Sequence, residues 1–403
     1  MYLFYFFAAI VVWLGILSFR SGIRFARYVR RETAPSLPDF APFASIIAPC
    51  RGLDQGLQEN LVALCQQNYP AYEILFVIDK GDDLSLNVIE KVNDSEGKDN
   101  HILGRIIVAG EATDSGQKVH NLRVAAQEIA PNSKVLVFVD SDARPHQDWL
   151  RLLVAPLHDE KLGAATGYRW FIPVTGGFAS HLCSVWNASI ASALGEQQDK
   201  NFCWGGSTAI RRETFEKLQI RGHWRGTVSD DFTMTRVLRE ANLPICFVPT
   251  CLIPSLEACS FPELLEFTTR QLKITRVYAP HLWKAVLLGS LLFSFVFFGG
   301  LALVVARAVL GMTFVWPLAL LCIILVLGTT KATVRWRAVS VLLPQYRAEM
   351  SGGLLAHLLF WPLASVLYLY NALAAAFSRR IKWRGITYEL KSPTEAVIIS
   401  RES

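Results

Sequence analysis

Long uncharged segments constrain this chain more than any other feature of its sequence. Residues 2–19 carry no charged side chain, and neither do residues 285–306 and 308–330, which only Arg307 separates. A helix of about 20 apolar residues spans the roughly 30 Å hydrocarbon core of a bilayer. The three segments therefore predict three membrane-spanning helices. For the first of them, a helix buried in a protein core is the alternative.

The basic residues beside the first segment predict its orientation. Five arginines follow it, at positions 20, 24, 27, 30 and 31. A cleaved signal peptide has its basic stretch before the apolar run, so this order predicts a retained anchor over residues 1–31. Positive charge is kept on the cytoplasmic side of membranes. We therefore expect the residues that follow to lie on the cytosolic face.

A fourth uncharged segment, residues 351–378, gives conflicting signals. Pro362 interrupts it, His357 lies within it, and several basic residues follow it, from Arg379 to Arg384. We expect it to be re-entrant or interfacial rather than spanning. Residues 281–378 then form the C-terminal membrane helices, and residues 379–403 form a basic cytosolic tail.

The overall charge excludes several classes of protein. Charged residues make up 18% of the chain, against about 25% in soluble domains. The net charge of +6 is too dispersed to predict a nucleic-acid partner. Eight cysteines without a C-x-x-C pair predict free thiols in a reducing compartment, not a disulfide framework or a zinc site.

Residues 40–278 have the composition of a globular domain. Short apolar runs at 45–48, 74–78, 106–109 and 135–139 alternate with helical patterns at 57–65 and 119–129. Such alternation predicts an α/β domain with a mainly parallel sheet. Ligands of these sheets bind beyond the carboxyl ends of the strands, so we expect the functional residues there.

Acidic residues follow two of the predicted strands. Asp79 comes directly after the second, and Asp140 and Asp142 follow the fourth. Paired carboxylates suit Mg²⁺ or Mn²⁺, which usually share their coordination with substrate phosphates. A helix cap and a turn residue are the alternative for this pair. A cap is likewise the alternative for Asp230 and Asp231, and a lipid-headgroup contact for residues 270–276.

Six motifs in order carry a family resemblance. They are residues 49–54 (PCRGLD), 69–73 (YPAYE), 77–79 (VID), 118–122 (KVHNL), 139–144 (VDSDAR) and 230–232 (DDF). With them the chain resembles the membrane family-2 glycosyltransferases, most closely ceramide glucosyltransferases and related bacterial lipid glycosyltransferases. The resemblance implies a GT-A (Rossmann-like) domain over residues 40–278.

The resemblance also implies roles for individual residues. Asp79 would contact the uridine ring of a UDP-sugar, with Lys118 nearby. Asp140 and Asp142 would hold the metal and the diphosphate. Asp231 would be the general base that takes the acceptor's proton, so that a one-step displacement inverts the anomeric centre. Arg270 and Lys273 would belong with the donor-binding residues.

Three positions depart from the pattern of the ceramide enzymes. The second signature reads D-S-D where those enzymes often have D-S-G. The [QR]-x-x-R-W signature is present only as Arg270, Lys273 and Ile274, and lysine lacks the bidentate phosphate geometry of arginine. The ceramide enzymes carry a histidine between their second and third signatures, and this chain has Ala191 near the corresponding position. The first departure favours metal-dependent transfer, and the other two leave the acceptor and the donor open.

The sequence thus predicts an enzyme that moves one hexose, with glucose expected, from a UDP-sugar to a membrane lipid with the help of Mg²⁺ or Mn²⁺. Ceramide, diacylglycerol and a hopanoid-type lipid are the expected acceptors. A processive polysaccharide synthase and a non-catalytic nucleotide-sugar-binding scaffold are the alternatives. The expected location is a bacterial inner membrane, or the Golgi in a eukaryote.

Overall fold

The computed structural model describes residues 2–33, 37–96, 103–174, 177–256 and 258–402. Its chain divides into two compact units. The helical unit comprises Met1–Arg30, Phe171–Ala193 and Leu256–Ser378. The sheet unit comprises Arg31–Trp170, Leu194–Ser255 and Arg379–Ser403.

A seven-stranded mixed sheet forms the centre of the sheet unit, with strand order β3-β2-β1-β4-β6-β5-β7. The strands are β1 (Ala44–Pro49), β2 (Tyr72–Ile78), β3 (Leu103–Val108), β4 (Val135–Phe138), β5 (Ala164–Phe171), β6 (Thr208–Arg211) and β7 (Ile245–Ser255). The first four strands are parallel to their neighbours among them, and β6 pairs antiparallel with β4 and with β5. The four strands expected from the sequence are thus confirmed.

Helices cover both faces of this sheet. They are α2 (Leu57–Cys65), α3 (Leu86–Glu96), α4 (Gln117–Ala125), α5 (Trp149–Val154), α7 (Arg212–Lys217), α8 (Ile220–His223) and α9 (Asp230–Glu240). Alternate strand residues pack into two cores: Ile46 and Phe76 lie with Leu61 on one face, and Ile47 and Leu136 lie in the other core. Burial on both faces explains why β1, β2 and β4 are continuous apolar runs.

The strand order places a topological switch between β1 and β4. From β1 the chain builds β2 and β3 on one side and then crosses to β4 on the other side. At such a switch the connecting loops diverge and leave a crevice beyond the carboxyl ends of the strands. Here those loops begin at Cys50 and Val139.

The last 25 residues differ from the basic tail that the sequence analysis expects. Within them, β8 (Arg380–Trp383), β9 (Ile386–Ser392) and β10 (Glu395–Arg401) form an antiparallel sheet in the order β10-β9-β8. Ile386, Tyr388 and Leu390 alternate along β9 and are buried. This sheet of β8, β9 and β10 is called the C-terminal sheet. It belongs to the sheet unit, so these residues are part of a folded domain.

The helical unit contains α1 (Tyr2–Glu32), α6 (Phe178–Ala191), α10 (Phe261–Tyr278), α11 (Pro280–Val309), α12 (Val315–Leu342), α13 (Arg347–Leu359) and α14 (Trp361–Phe377). Three of them, α1, α11 and α12, are long and apolar enough to cross a membrane. Only 11%, 17% and 22% of their most apolar windows are buried inside the protein. Such exposure fits contact with lipid and excludes a core helix for α1.

The fourth uncharged segment is broken in the middle. The α13 segment, with the short 3₁₀ turn that precedes it, and α14 meet at Phe360 with a bend of 73°. Pro362 lies in the first turn of α14, where its missing N–H costs no hydrogen bond. A bend of this size fits a broken span as well as a re-entrant loop, so the re-entrant or interfacial placement stays a prediction.

Candidate active site

A lysine joins two carboxylates beyond the end of β4. Asp140 follows this strand, and Lys118 lies in the first turn of α4. The Lys118 Nζ lies 2.6 Å from Asp140 Oδ1 and 3.3 Å from Asp230 Oδ1. The cluster therefore brings the KVHNL, VDSDAR and DDF motifs together. The resemblance implies that Lys118 lies near Asp79, but the ion pairs of Lys118 are with Asp140 and Asp230.

Burial and charge oppose one another in this cluster. Burial disfavours the charged form of Lys118, but Asp140 and Asp230 outweigh it and raise the lysine pKa. Burial raises the pKa of Asp230 to about 6, because Lys118 offsets only part of the burial and of the repulsion from Asp231. Burial acts on Asp140 too, but Lys118 and Arg169 hold its pKa below the usual value. Asp140 is therefore an anion at neutral pH.

An arginine contacts both aspartates of the loop after β4, Asp140 and Asp142, which are called the loop aspartates. Arg169 lies on β5, and its terminal nitrogens are 3.3 Å from Asp140 Oδ2 and 3.2 Å from Asp142 Oδ2. Its guanidinium also stacks over Trp204, 4.8 Å from the ring centroid. Stacking holds the guanidinium in place, so the two carboxylates face one fixed positive charge.

The first signature aspartate forms a separate ion pair. Asp79 follows β2, and its Oδ2 lies 2.7 Å from Arg51 Nη1. Asp79 is buried, and burial raises its pKa while Arg51 offsets part of that rise. The neighbouring Asp83 accepts hydrogen bonds from the backbone of Gly52 and from Ser85. These bonds fix the loops after β1 and β2 against each other.

Asp231 lies at the start of α9 with one side of its carboxylate restrained. Its Oδ1 accepts hydrogen bonds from Phe232 N, at 2.7 Å, and from the Ser229 hydroxyl. Ser229 also caps the helix by accepting from Phe232 N. Carboxylates are stabilised at helix N-termini. The position therefore orients a half-buried carboxyl group whose Oδ2 lies outside these hydrogen bonds.

A glycine gives this cluster its space. A Cβ on Gly205 would lie 2.3 Å from Asp230 Oδ2 and 2.7 Å from Lys118 Nζ. Carbon atoms do not approach charged oxygen and nitrogen atoms that closely without displacing them. The Lys118–Asp230 pair therefore depends on the missing side chain at position 205.

Three arginines for which the sequence analysis predicts no role form ion pairs with aspartates of the loops after β1, β2 and β4. Arg51 pairs with Asp79, Arg169 with the loop aspartates, and Arg384 with Asp54 across 2.6 Å. Arg51 lies within the PCRGLD motif, which was a usable signal. Arg169 and Arg384 lie outside every motif, and pairing of distant strands brings them here.

Two of the expected donor-binding residues lie in the other unit. Arg270 and Lys273 belong to α10 of the helical unit. The guanidinium of Arg270 lies over the Phe267 ring, 5.6 Å from its centroid. Their role at the donor stays a prediction.

The loop carboxylates fit a hard divalent cation. Asp140 and Asp142 both contact the Arg169 guanidinium, so the two carboxylates face the same positive charge. Within the described ranges, no group of three or more His, Cys, Asp or Glu side chains is placed to hold a metal ion. Mg²⁺ commonly binds one or two carboxylates and completes its shell with water and phosphate oxygens. A carboxylate pair therefore suits an ion shared with a phosphorylated ligand.

Comparison with known families gives one match over nearly the whole chain. The family model described as glycosyl transferase family 21 matches residues 5–396. The match includes both units and most of the C-terminal sheet.

Solved structures give more distant likenesses. One is mannosyltransferase PcManGT from Pyrobaculum calidifontis in complex with GDP-Man and Mn²⁺, at 16% identity and TM-score 0.48, covering 92% of this chain and 98% of that one. Another is glucosyl-3-phosphoglycerate synthase from Mycobacterium tuberculosis in complex with Mn²⁺ and UDP-Glc, at 14% identity and TM-score 0.37, covering 58% of this chain and 77% of that one. A third is GalNAc-T7 with UDP, GalNAc and Mn²⁺, at 16% identity and TM-score 0.39, covering 56% and 45%.

Proposed function

The chain belongs to glycosyl transferase family 21 and is a nucleotide-sugar glycosyltransferase, and on that premise we propose that it transfers one hexose from a UDP-sugar to a membrane lipid. Membership confirms the resemblance to ceramide glucosyltransferases that the six motifs predict. The expected fold class, an α/β GT-A domain with N-terminal and C-terminal membrane helices, is confirmed with it. The donor, the acceptor and the stereochemistry are proposals.

One observation carries the proposal: Asp140 and Asp142 converge with Lys118 and Arg169 beyond the switch point of the sheet. Transfer from a nucleoside diphosphate sugar leaves negative charge on the departing diphosphate. Fixed cations stabilise such charge most strongly where water is partly excluded. The two carboxylates would hold Mg²⁺ or Mn²⁺, which supplies Lewis-acid stabilisation of the leaving group.

We assign the proton transfer to Asp231. The acceptor hydroxyl loses its proton to Asp231 while its oxygen bonds to the anomeric carbon. At the same time the bond from that carbon to the diphosphate oxygen breaks, and UDP leaves with the electron pair. An attack opposite to the leaving group converts an α-linked donor into a β-glycoside. The hydrogen bonds to Oδ1 of Asp231 orient its carboxylate for this task.

The acceptor is proposed from the membrane helices. Among the described residues, three helices are long and apolar enough to cross a membrane, which fits an integral membrane protein. A lipid hydroxyl is the acceptor that a membrane presents. Ceramide, diacylglycerol and a hopanoid-type lipid are the candidates, and glucose is the first sugar to test. The arginines along the end of α1 favour a catalytic domain on the cytosolic face, of a bacterial inner membrane or of the Golgi.

A transfer assay tests the proposal. Membranes with the full-length protein receive labelled UDP-glucose, UDP-galactose or UDP-N-acetylglucosamine, a lipid extract, and Mn²⁺ or Mg²⁺. We expect chloroform-soluble label from one donor, and none after chelation of the metal. Water-soluble polymer would instead favour a processive synthase. UDP binding without any transfer would favour a scaffold.

The nucleoside role of Asp79 predicts a change in base selectivity. We expect Asp79→Ala to weaken UDP binding about tenfold to a hundredfold, the value of a charge-assisted hydrogen bond. GDP binding should change less than threefold, because the diphosphate contacts remain. Titration calorimetry with both nucleotides measures this. An equal loss for UDP and GDP would move the uridine pocket away from Asp79.

Gly205 predicts a steric effect on the diphosphate site. Gly205→Ala should displace the Lys118–Asp230 pair and lower the transfer rate at least about tenfold, since misplaced catalytic groups cost that much or more. Gly195→Ala is the matched control, because a Cβ there meets no atom within 4 Å. Steady-state rates of both variants decide the matter. Equal rates would mean that Lys118 acts from another position.

A further inference from the structure

The turn between β8 and β9 places an arginine in a left-handed backbone conformation. Arg384 and Gly385 form a two-residue connection with φ values of 50° and 73°. A hairpin turn with two left-handed residues prefers Asn-Gly or Asp-Gly, because most other side chains crowd the backbone there. An arginine at this position gives up that local preference. Residues held in this way commonly serve a site.

The C-terminal sheet is fastened to the elements that carry the active-site residues. Gln117, which precedes Lys118 on α4, donates from its backbone N–H to Tyr388 Oη at 3.1 Å. Arg401 lies 3.7 Å from Glu111 and contacts the backbone of Ala112. These contacts hold the sheet at the start of α4.

The C-terminal sheet also packs against the segment just before the DDF motif. Gly226 has a φ of 78°, and a Cβ there would lie 2.1 Å from the carbonyl oxygen of Thr394. Only a glycine allows the connection between β9 and β10 to approach this closely. The C-terminal sheet thus packs against two segments that lead into the site.

Arg384 lies between the nucleoside and metal aspartates. Its Nη2 is 2.6 Å from Asp54 Oδ1, and its Nη1 donates to the carbonyl oxygen of Arg51 at 2.9 Å. The other oxygen of Asp54 accepts from Ser141, between the two loop aspartates. Arg51 in turn pairs with Asp79. The guanidinium therefore contacts the loop after β1 directly, and Asp54 links it to the loop after β4.

A donor diphosphate must cross the same space. In a nucleotide sugar it joins the nucleoside, which we assign to Asp79, to the sugar beside the metal pair. Among the described contacts, Arg384 uses one N–H on each terminal nitrogen, which leaves three of its five donors. Guanidinium binds phosphate oxygens in bidentate geometry, and its side chain is 36% exposed, so a ligand can reach it.

We propose that Arg384 binds the diphosphate of the nucleotide-sugar donor, so that the C-terminal sheet forms one wall of the donor site. This inference rests on the proposed function. The C-terminal sheet, which contains none of the six motifs, would then have a role in donor binding.

Arg384→Asn is the decisive variant, because asparagine suits the left-handed turn and should preserve the hairpin. In the full-length protein with Mn²⁺, we expect its Kd for UDP to rise about tenfold to a hundredfold. Lys391→Ala, which removes a basic residue paired with Glu389 on the same sheet, should bind UDP as the wild type does. Calorimetry measures the affinities, and thermal melting checks folding.

A third variant separates binding from bracing. Asp54→Asn breaks the Arg384–Asp54 ion pair but keeps the guanidinium, so we expect its Kd for UDP to stay within threefold of the wild type. If Arg384 only braced the loop, Asp54→Asn would weaken UDP as much as Arg384→Asn does. That result, or unchanged binding in Arg384→Asn, would overturn the inference. A wild-type protein that binds no UDP would overturn the proposed function instead, and the inference with it.

Discussion

Asp231→Asn should lower the rate of sugar transfer about 10²–10⁴-fold, the usual contribution of a general base, while UDP binding stays within threefold. Asparagine keeps the size of the side chain and an oxygen for the hydrogen bond from Phe232 N. It cannot take up the proton of the acceptor hydroxyl. The loss should therefore fall on kcat, and the KM for the donor should hardly move.

The matched control is Asp114→Asn. Asp114 pairs with Arg123 and Arg225, so its neutralisation removes the same charge away from the proposed reaction centre. Initial rates of transfer and UDP affinities of both variants complete the test. If Asp231→Asn kept more than a tenth of the wild-type rate, Asp231 would not be the base, and the buried Asp230 would be the next candidate.

Asp142→Ala should abolish the dependence of UDP binding on metal. In Mn²⁺ we expect its Kd for UDP to rise about a hundredfold, to the value that the wild type has in chelator. In chelator the variant should bind UDP as well as the wild type or better, because one negative charge facing the diphosphate is gone. The variant thus binds UDP more weakly than the wild type in Mn²⁺ but at least as tightly in chelator. A misfolded variant would bind UDP more weakly in both conditions.

Folding can be checked independently for this variant. Asp142 is partly exposed and pairs with Arg169, which remains stacked on Trp204. Arg169 keeps Asp140 as an ion-pair partner when Asp142 is replaced, so its guanidinium is not left unpaired. We therefore expect a cooperative thermal melt with the melting temperature lowered by about ten degrees at most. The same metal dependence in Asp142→Ala and the wild type would contradict the metal assignment.

Local sequence patterns predicted which strand ends carry the aspartates. Asp79 and Asp140 follow apolar runs whose length and β-branched residues indicate strands, and parallel strands bring their carboxyl ends to one edge. Lys118, which the family resemblance implies, lies in the first turn of α4, and this helix begins at the same edge because it follows the carboxyl end of β3. Each of these positions depends on structure within about ten residues, which periodicity captures well.

The remaining groups depend on pairings between distant segments. Arg169 reaches the loop aspartates because β5 pairs with β6, and no feature near position 169 indicates that pairing. Arg384 arrives on a sheet that the sequence analysis treats as a basic tail. The alternation of Ile386, Tyr388 and Leu390 after an Arg-Gly pair was a usable hairpin signal, but the positive charge around it obscured it.

The anomeric configuration of the lipid product tests the central claim most directly. The wild-type enzyme is given an α-linked UDP-hexose with lipid acceptor and Mn²⁺, and the purified glycolipid is analysed by NMR and by digestion with α- and β-glycosidases. Direct displacement with Asp231 as base predicts a single β-linked hexose on the lipid. An α-linked product, or sugar recovered only in a water-soluble polymer, would contradict the account.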